Sequence, residues 1–224
     1  MNANTSRGET PILLIGSKNY SSWSLRPWLF LRKAGLQFRE QLVYFDQPDY
    51  QAQIAALSPS RRVPLLIDSG LKIWDSLAIC EYAAESRNYG LPKDRAARAQ
   101  ARSVAAEMHS GFPTLRNDCP MNVRARNRSV PITPQLAADI ARIDEIWSDC
   151  RQAYGGGGWL FGEFSIADAM FAPVVFRFQS YGAQLGAASQ AYLTHALADP
   201  LMREWQEAAQ IEGHPLPKVD QLGA

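Results

Sequence analysis

The sequence predicts a mixed α/β domain followed by an all-α domain, on three observations. From Pro11 to residue 87, short apolar runs alternate with helical patterns in the order β-α-β-α-β-β-α. Asn88-Tyr89-Gly90-Leu91-Pro92 then interrupts the chain with turn-forming residues. From Lys93 onward only helical patterns occur. The division is therefore residues 1–87, a linker at 88–92, and 93–224, and 224 residues suit two small domains.

The elements follow in order. Pro11–Ile15 is an apolar run closed by Gly16, the pattern of a buried strand. The next helix sets Leu25, Trp28 and Leu29 on one side and Arg32 and Lys33 on the other, and Gly35 stops it. Gln37–Phe45 alternates through Phe38, Glu40, Leu42 and Tyr44 as a strand does. Asp46–Asp49 is a turn, and Tyr50–Leu57 a short helix ended by Ser58-Pro59. Val63–Ile67 and Leu71–Trp74 flank Asp68-Ser69-Gly70 as the arms of a hairpin. Asp75 or Ser76 caps a helix running to Ser86, with Ile79, Tyr82 and Ala83 at helical spacing.

In the second domain Asp94–Thr114 is a helical stretch rich in Ala and Arg, disturbed at Gly111-Phe112-Pro113. Asn117–Pro134 reads as a long polar, basic connection. Thr133-Pro134 starts a helix by placing proline just after the cap, and that helix breaks at Gly155–Gly158. Ser165-Ile166-Ala167-Asp168 has capping-box spacing, with Asp in place of Glu or Gln. The helix it opens carries Met170, Phe171, Val174, Val175 and Phe178, apolar on most sides, and belongs in the core. Asp199-Pro200 caps a last helix to Ile211, and Glu212–Ala224, with Pro215 and Pro217, reads as an extended tail.

Hydrophobic content is 46%, charged content 20% and net charge +1, which gives no support for a nucleic-acid partner. No apolar run approaches the ~20 residues of a membrane span. Met1–Thr10 is polar, lacks a signal core and reads as a short disordered leader. Cys80, Cys119 and Cys150 are far apart and form no disulfide framework, so reduced thiols and a cytoplasmic location are expected. His109, His195 and His214 lack metal-ligand spacing, and no metal is expected.

The stretch Asn19-Tyr20-Ser21-Ser22-Trp23-Ser24-Leu25-Arg26-Pro27-Trp28 puts hydroxyls at a strand-to-helix junction. Free N–H groups and the positive end of the helix dipole converge there and favour an anion, including a thiolate. Ser24 suits the helix cap, because Pro27 then lies in the first turn, leaving Ser21 and Ser22 free for chemistry. Two further features bear on the same site. Val63-Pro64, after Arg61-Arg62, opens a strand; a cis proline there leaves the preceding backbone free to pair with an extended peptide. Asp75-Ser76 opens a helix whose N–H groups and serine hydroxyl suit a carboxylate, while Asp75 suits an amine. A peptide with a free amine, carboxylates and a thiol fits all three.

With these residues in order, the chain resembles the cytosolic glutathione transferase family, of the serine type. The resemblance rests on Tyr20–Arg26, Arg62-Val63-Pro64, Trp74–Ile79 and Gly162–Asp168, and spans residues 11 to 211. It implies a thioredoxin-like first domain that binds glutathione, an α-helical second domain, and a homodimer. It implies that Val63 pairs with the cysteinyl part beside a cis Pro64, that Asp75 and Ser76 hold the γ-glutamyl end, and that Ser21 or Ser22 donates to the sulfur. Trp23 and Arg62 border that site. The double serine is most similar to the zeta class, which points to Ser21, whereas theta- and delta-like spacing points to Ser22. Trp23 stands where zeta enzymes carry cysteine, and Asp75 where they carry glutamine, so the zeta substrate maleylacetoacetate does not follow from the likeness.

A free thiol titrates near ~8.5, and a hydroxyl donor with a helix N-terminus lowers that by roughly one to three units. Glutathione, not serine, is then the nucleophile. The resemblance implies an electrophile pocket from Glu107, Met108, His109, Phe112 and Arg116. Against this, Met108 and Phe112 sit at i, i+4 and suit a core, Glu107 suits either the γ-glutamyl amine or a solvated face, and His109 suits a surface or core position more than the role of acid or base. Arg116, Arg124, Arg126 and Arg128 read either as greeting an anionic substrate or as a solvated loop. The expected activity is transfer of glutathione to a small hydrophobic electrophile. Alternatives are a glutathione-dependent isomerase, dehalogenase or peroxidase, and a binding protein without turnover.

Overall fold

A computed structural model describes residues 9–224; most of the polar leader, residues 1–8, lies outside the described residues. The first domain contains β1 (Ile12–Gly16), α1 (Ser22–Lys33), β2 (Arg39–Val43), α2 (Tyr50–Leu57), β3 (Leu65–Asp68), β4 (Leu71–Ile73) and α3 (Ser76–Arg87). The strands form one sheet in the order β2-β1-β3-β4. The β1–β2 pair is parallel, as the crossover through α1 requires, and the β1–β3 and β3–β4 pairs are antiparallel. This is the thioredoxin-like βαβαββα order.

The second domain is helical: α4 (Arg95–Ser110), α5 (Pro113–Asp118), α6 (Pro134–Tyr154), α7 (Ile166–Tyr181), α8 (Ala187–Ala198), α9 (Pro200–Ile211) and α10 (Pro217–Asp220). Two isolated bridges, Trp159 with Gly162 and Phe161 with Glu163, shape the turn before α7. Helix α7 is buried on nearly every side, as its apolar composition predicts. A continuous core joins the two domains, running from Leu13, Leu25 and Ile79 to Met108, Phe171 and Trp205. Ridges of α1 and α7 meet in it, and Arg26 of α1 reaches across to donate Nε–H to the Met170 carbonyl at 3.1 Å.

Four expectations are corrected. The cap of α1 is Ser21, not Ser24, so Pro27 lies inside the helix beyond the first turn. Ser24 is instead buried under that turn, its Oγ accepting from the Gly16 amide at 3.0 Å. Helix α8 was not legible, because its buried face is Ser189, Tyr192, Leu193 and Ala196 while Ala187, Ala188, Ala191 and Ala198 are exposed, so apolar residues mark no stripe in the sequence. Pro113 begins a separate helix α5 rather than a disturbance; Phe112, left-handed at φ 61°, turns the corner. The tail is not simply extended: Pro217 opens the short α10.

Candidate functional site

Strand register decides where the three predicted segments meet. Leu14 of β1 pairs with Leu65 and Ile12 with Ile67, so the start of β3 lies beside the end of β1. Leu66 pairs with Ile73, so the end of β4 lies beside that same start. The residues after β1 (Ser17–Ser22), before β3 (Arg62-Val63-Pro64) and after β4 (Trp74-Asp75-Ser76) therefore emerge at one end of three adjacent strands. Neighbouring strands lie about 5 Å apart, so the three segments span roughly 10 Å, the width of a short peptide. Val63 lies beyond the β1–β3 ladder, and the Val63–Pro64 bond is cis, as is Trp74–Asp75.

The serines differ in what they already bond. Ser21 Oγ donates to Ser24 Oγ at 2.7 Å and accepts from the Ser24 amide at 3.3 Å. Ser22, the first helical residue, has no side-chain partner among the described residues, and neither does the amide of Trp23. Its own amide is held by the Tyr20 carbonyl at 3.0 Å. A hydroxyl and an N–H at the N-terminus of a 12-residue helix are thus left for an external anion.

Asp75 caps α3 through Oδ1, which accepts from Leu77 at 3.1 Å and Ala78 at 3.4 Å. Its Oδ2 meets His109 Nε2 at 2.9 Å. The Asp75 side chain remains about half exposed, open to an approaching amine. Ser76 is fully buried and its Oγ has no partner among the described residues.

Of the second-domain residues, the structure brings His109 and Arg116 to Trp23 of α1. The Trp23 ring lies between the guanidinium groups of Arg26, at 4.4 Å, and Arg116, at 4.8 Å, with His109 edge-on at 5.4 Å. Arg116 also donates to the carbonyls of Gly111, Met108 and His109, which rivets the α4–α5 corner. Glu107 is not brought there; it faces the other way and forms a two-toothed pair with Arg142 at 2.8 and 3.0 Å. Met108 and Phe112 are buried core residues. Arg62 is exposed beside the cis bond.

Sequence reasoning assigned no role to Arg26, Asn19, Tyr20 or the tail. Arg26 is fully buried, its two Nη groups have no partner among the described residues, and burial, with Arg116 and Arg177 nearby, holds its pKa well below the ordinary value. Tyr20 is engaged as well: its hydroxyl donates to Asp220 and accepts from Arg124 Nη2 at 2.7 Å and the Leu216 amide at 2.9 Å. The arginine run, partly exposed at Arg126, is nonetheless tied down by hydrogen bonds to carbonyls. Arg124 bonds the Glu212 carbonyl, Arg126 the carbonyls of Val123 and Ala125, and Arg128 that of Leu222. Such carbonyl pairing is invisible to charge counting.

The cysteines carry no reactive thiolate. All three are buried and free, and burial pushes Cys119 up to about 11, Cys150 up to about 12, and Cys80 higher still. A groove of about 1330 Å³ lies elsewhere, along α3, the linker and α4, and holds none of the predicted site residues.

Residues 20–86 match the model of the glutathione S-transferase N-terminal domain, and residues 133–210 that of the glutathione S-transferase C-terminal domain. The chain is 31% identical over 179 residues to a maleylacetoacetate isomerase of Mus musculus, covering 78% of this chain and 81% of that one. It is 29% identical over 111 residues to a probable maleylacetoacetate isomerase of Caenorhabditis elegans, 49% of this chain and about half (51%) of that relative's length. A glutathione transferase homologue from Burkholderia, solved with bound glutathione, superposes with a TM-score of 0.68 at 23% identity, over 90% of this chain and 99% of that one. Two domain models in order, on a thioredoxin-like sheet and a helical domain, together with that isomerase likeness, show that the chain belongs to the glutathione S-transferase family.

Proposed function

We propose that this protein binds glutathione at the sheet end and holds its thiol as a thiolate for attack on a small electrophile. The observation that carries the reading is the convergence of three segments at one end of β1, β3 and β4, each with unengaged polar groups. In this reading Val63 pairs its backbone with the cysteinyl part. Ser76 and the α3 N-terminus take the γ-glutamyl carboxylate, and Asp75 takes the amine. The sulfur lies against the first turn of α1. The resemblance to the zeta class points to Ser21 as donor, but its proton is already directed to Ser24. The free hydroxyl of Ser22 and the free amide of Trp23 support Ser22 instead. Trp23 and His109 would form the wall facing the electrophile. The boundaries 1–87, 88–92 and 93–224, a homodimer and a cytoplasmic location belong to the same reading.

A second reading, glutathione-dependent isomerisation, is favoured by the likeness to maleylacetoacetate isomerases. Both require the same thiolate, so one titration tests them together. Ultraviolet absorbance of the bound thiolate, followed against pH, should give a midpoint one to three units below the free ~8.5. Ser22→Ala should move it back, and Ser21→Ala should move it less. Binding without depression would favour a carrier over an enzyme, and absence of binding would overturn the proposal. Turnover of an aryl halide against isomerisation of maleylacetoacetate separates the two chemistries.

A further inference from the structure

The loop that presents the serines closes one turn of its own and is otherwise held largely from the second domain. After Gly16 the β1 ladder ends, and α1 begins only at Ser22. Between them, the Ser17 carbonyl accepts from Tyr20 at 3.1 Å and Ser21 at 2.8 Å, closing a turn around Lys18 and Asn19. All four backbone groups of those two residues are bonded by segments more than 100 residues away. The Lys18 amide donates to Glu212 Oε1 at 2.8 Å and the Asn19 amide to Glu212 Oε2 at 3.0 Å. The Lys18 carbonyl accepts from Trp205 Nε1 at 3.0 Å, and the Asn19 carbonyl from the Val123 amide at 3.1 Å. The Asn19 side chain, fully buried, completes the clasp, bonding Asn122 Oδ1 and the Arg124 amide at 2.9 Å each.

We infer that Glu212 is a positioning residue for the thiolate site: its carboxylate bridges two adjacent amides and so sets the direction in which the helix turn presents Ser21 and Ser22. Glu212 is itself fixed, being nearly buried with its carbonyl bonded by Arg124 Nη1 at 2.6 Å. A carboxylate accepting two neighbouring N–H groups defines the turn more tightly than any single bond, because both oxygens must be satisfied at once. It also leaves no buried donor unpaired. Donor-to-sulfur geometry matters most when charge sits on the sulfur, so a loosened turn costs thiolate more than it costs bound thiol. The mouth of the site is thus set by a residue at the far end of the chain, where its sequence context gives no motif.

The inference rests on the proposed thiolate function, and its test separates the two. The thiol pKa of bound glutathione and its dissociation constant are measured on the parent, Glu212→Gln, Glu212→Asp and Ser76→Ala. Glutamine keeps the volume but turns a donor toward an amide, so the thiol pKa should rise by about one unit, a tenfold loss of thiolate below the midpoint. Affinity for the protonated tripeptide should change less than threefold. Glu212→Asp should recover part of the pKa shift, and Ser76→Ala should show the reverse pattern, weaker binding at an unchanged pKa. Amide hydrogen exchange at Lys18 and Asn19 should be slow in the parent and accelerate in Glu212→Gln. If Glu212→Gln does not fold, Asn19→Ser, which keeps a small polar side chain but breaks the Asn122 contact, should give the same pKa rise at nearly constant affinity. A parent that depresses the thiol pKa with both variants matching it overturns the inference alone. A parent with no depression overturns the thiolate reading and this inference with it.

Discussion

Two helices among the described residues are capped by serine, α1 and α7, and the two caps have opposite fates. At α7, Ser165 and Asp168 form a closed box: Asp168 accepts from the Leu160 amide at 3.0 Å, and from the Ser165 amide and hydroxyl at 2.8 Å each. The amide and hydroxyl of Ser165 both have a partner in Asp168, the cap is buried, and the result is structural. At α1, Ser21 caps the turn through its own oxygen, and no carboxylate closes the first turn. The Ser22 hydroxyl and the Trp23 amide have no partner among the described residues. The same residue type on the same kind of helix end is thus locked where an acidic residue three positions on takes up the serine hydroxyl, and leaves a neighbouring hydroxyl open where none does, which is what the proposed anion site needs.

The contrast can be broken by substitution, and the largest effect is expected at α7. Asp168→Ala strands the buried amides of Leu160 and Ser165, and should cost about 2–5 kcal/mol of stability by urea unfolding, at roughly 1–3 per unsatisfied group. A cost below about 1 kcal/mol would deny that this box is a core element. Ser22→Ala should lower kcat/KM roughly ten- to a hundredfold, equal to one or two units of thiol pKa, while leaving the urea midpoint nearly unchanged. Ser21→Ala should do the reverse, losing ~1 kcal/mol of stability as a lost N-cap does, with a smaller effect on the thiol. If the two serine variants exchange these behaviours, the donor assignment is inverted.

The smallest effect sharpens the comparison by pH. Burial raises Asp168 from 3.8 to about 6 despite the donors around it. The folded chain therefore holds more protons than the unfolded chain between about pH 4 and pH 6, so this group's contribution to stability falls as pH rises through that window and is flat above it. Subtracting the pH profile of Asp168→Asn from that of the parent should isolate a slope of up to one proton with that sign. A difference rising with pH would mean that the hydrogen bonds outweigh burial.

Much of this was legible in the sequence. Periodicity gave the order of the first domain, because strands and amphipathic helices carry periods of 2 and 3.6 in their own residues. Thr133-Pro134, Ser165–Asp168 and Asp199-Pro200 marked helix starts, because capping is chemistry between residues two to four apart. Ser21, Ser22, Val63, Asp75 and Ser76 stood out because each lies at the end of an element. What the sequence alone determined is therefore whatever local hydrogen bonding and side-chain period can encode. Tertiary structure decided the rest. Register brought three loops to one end of a sheet, turned Glu107 toward Arg142 while His109 met Asp75, and lowered a glutamate from residue 212 onto amides at 18 and 19. Those contacts join groups with no fixed spacing along the chain, and only packing of the two domains into one core determines which of them meet.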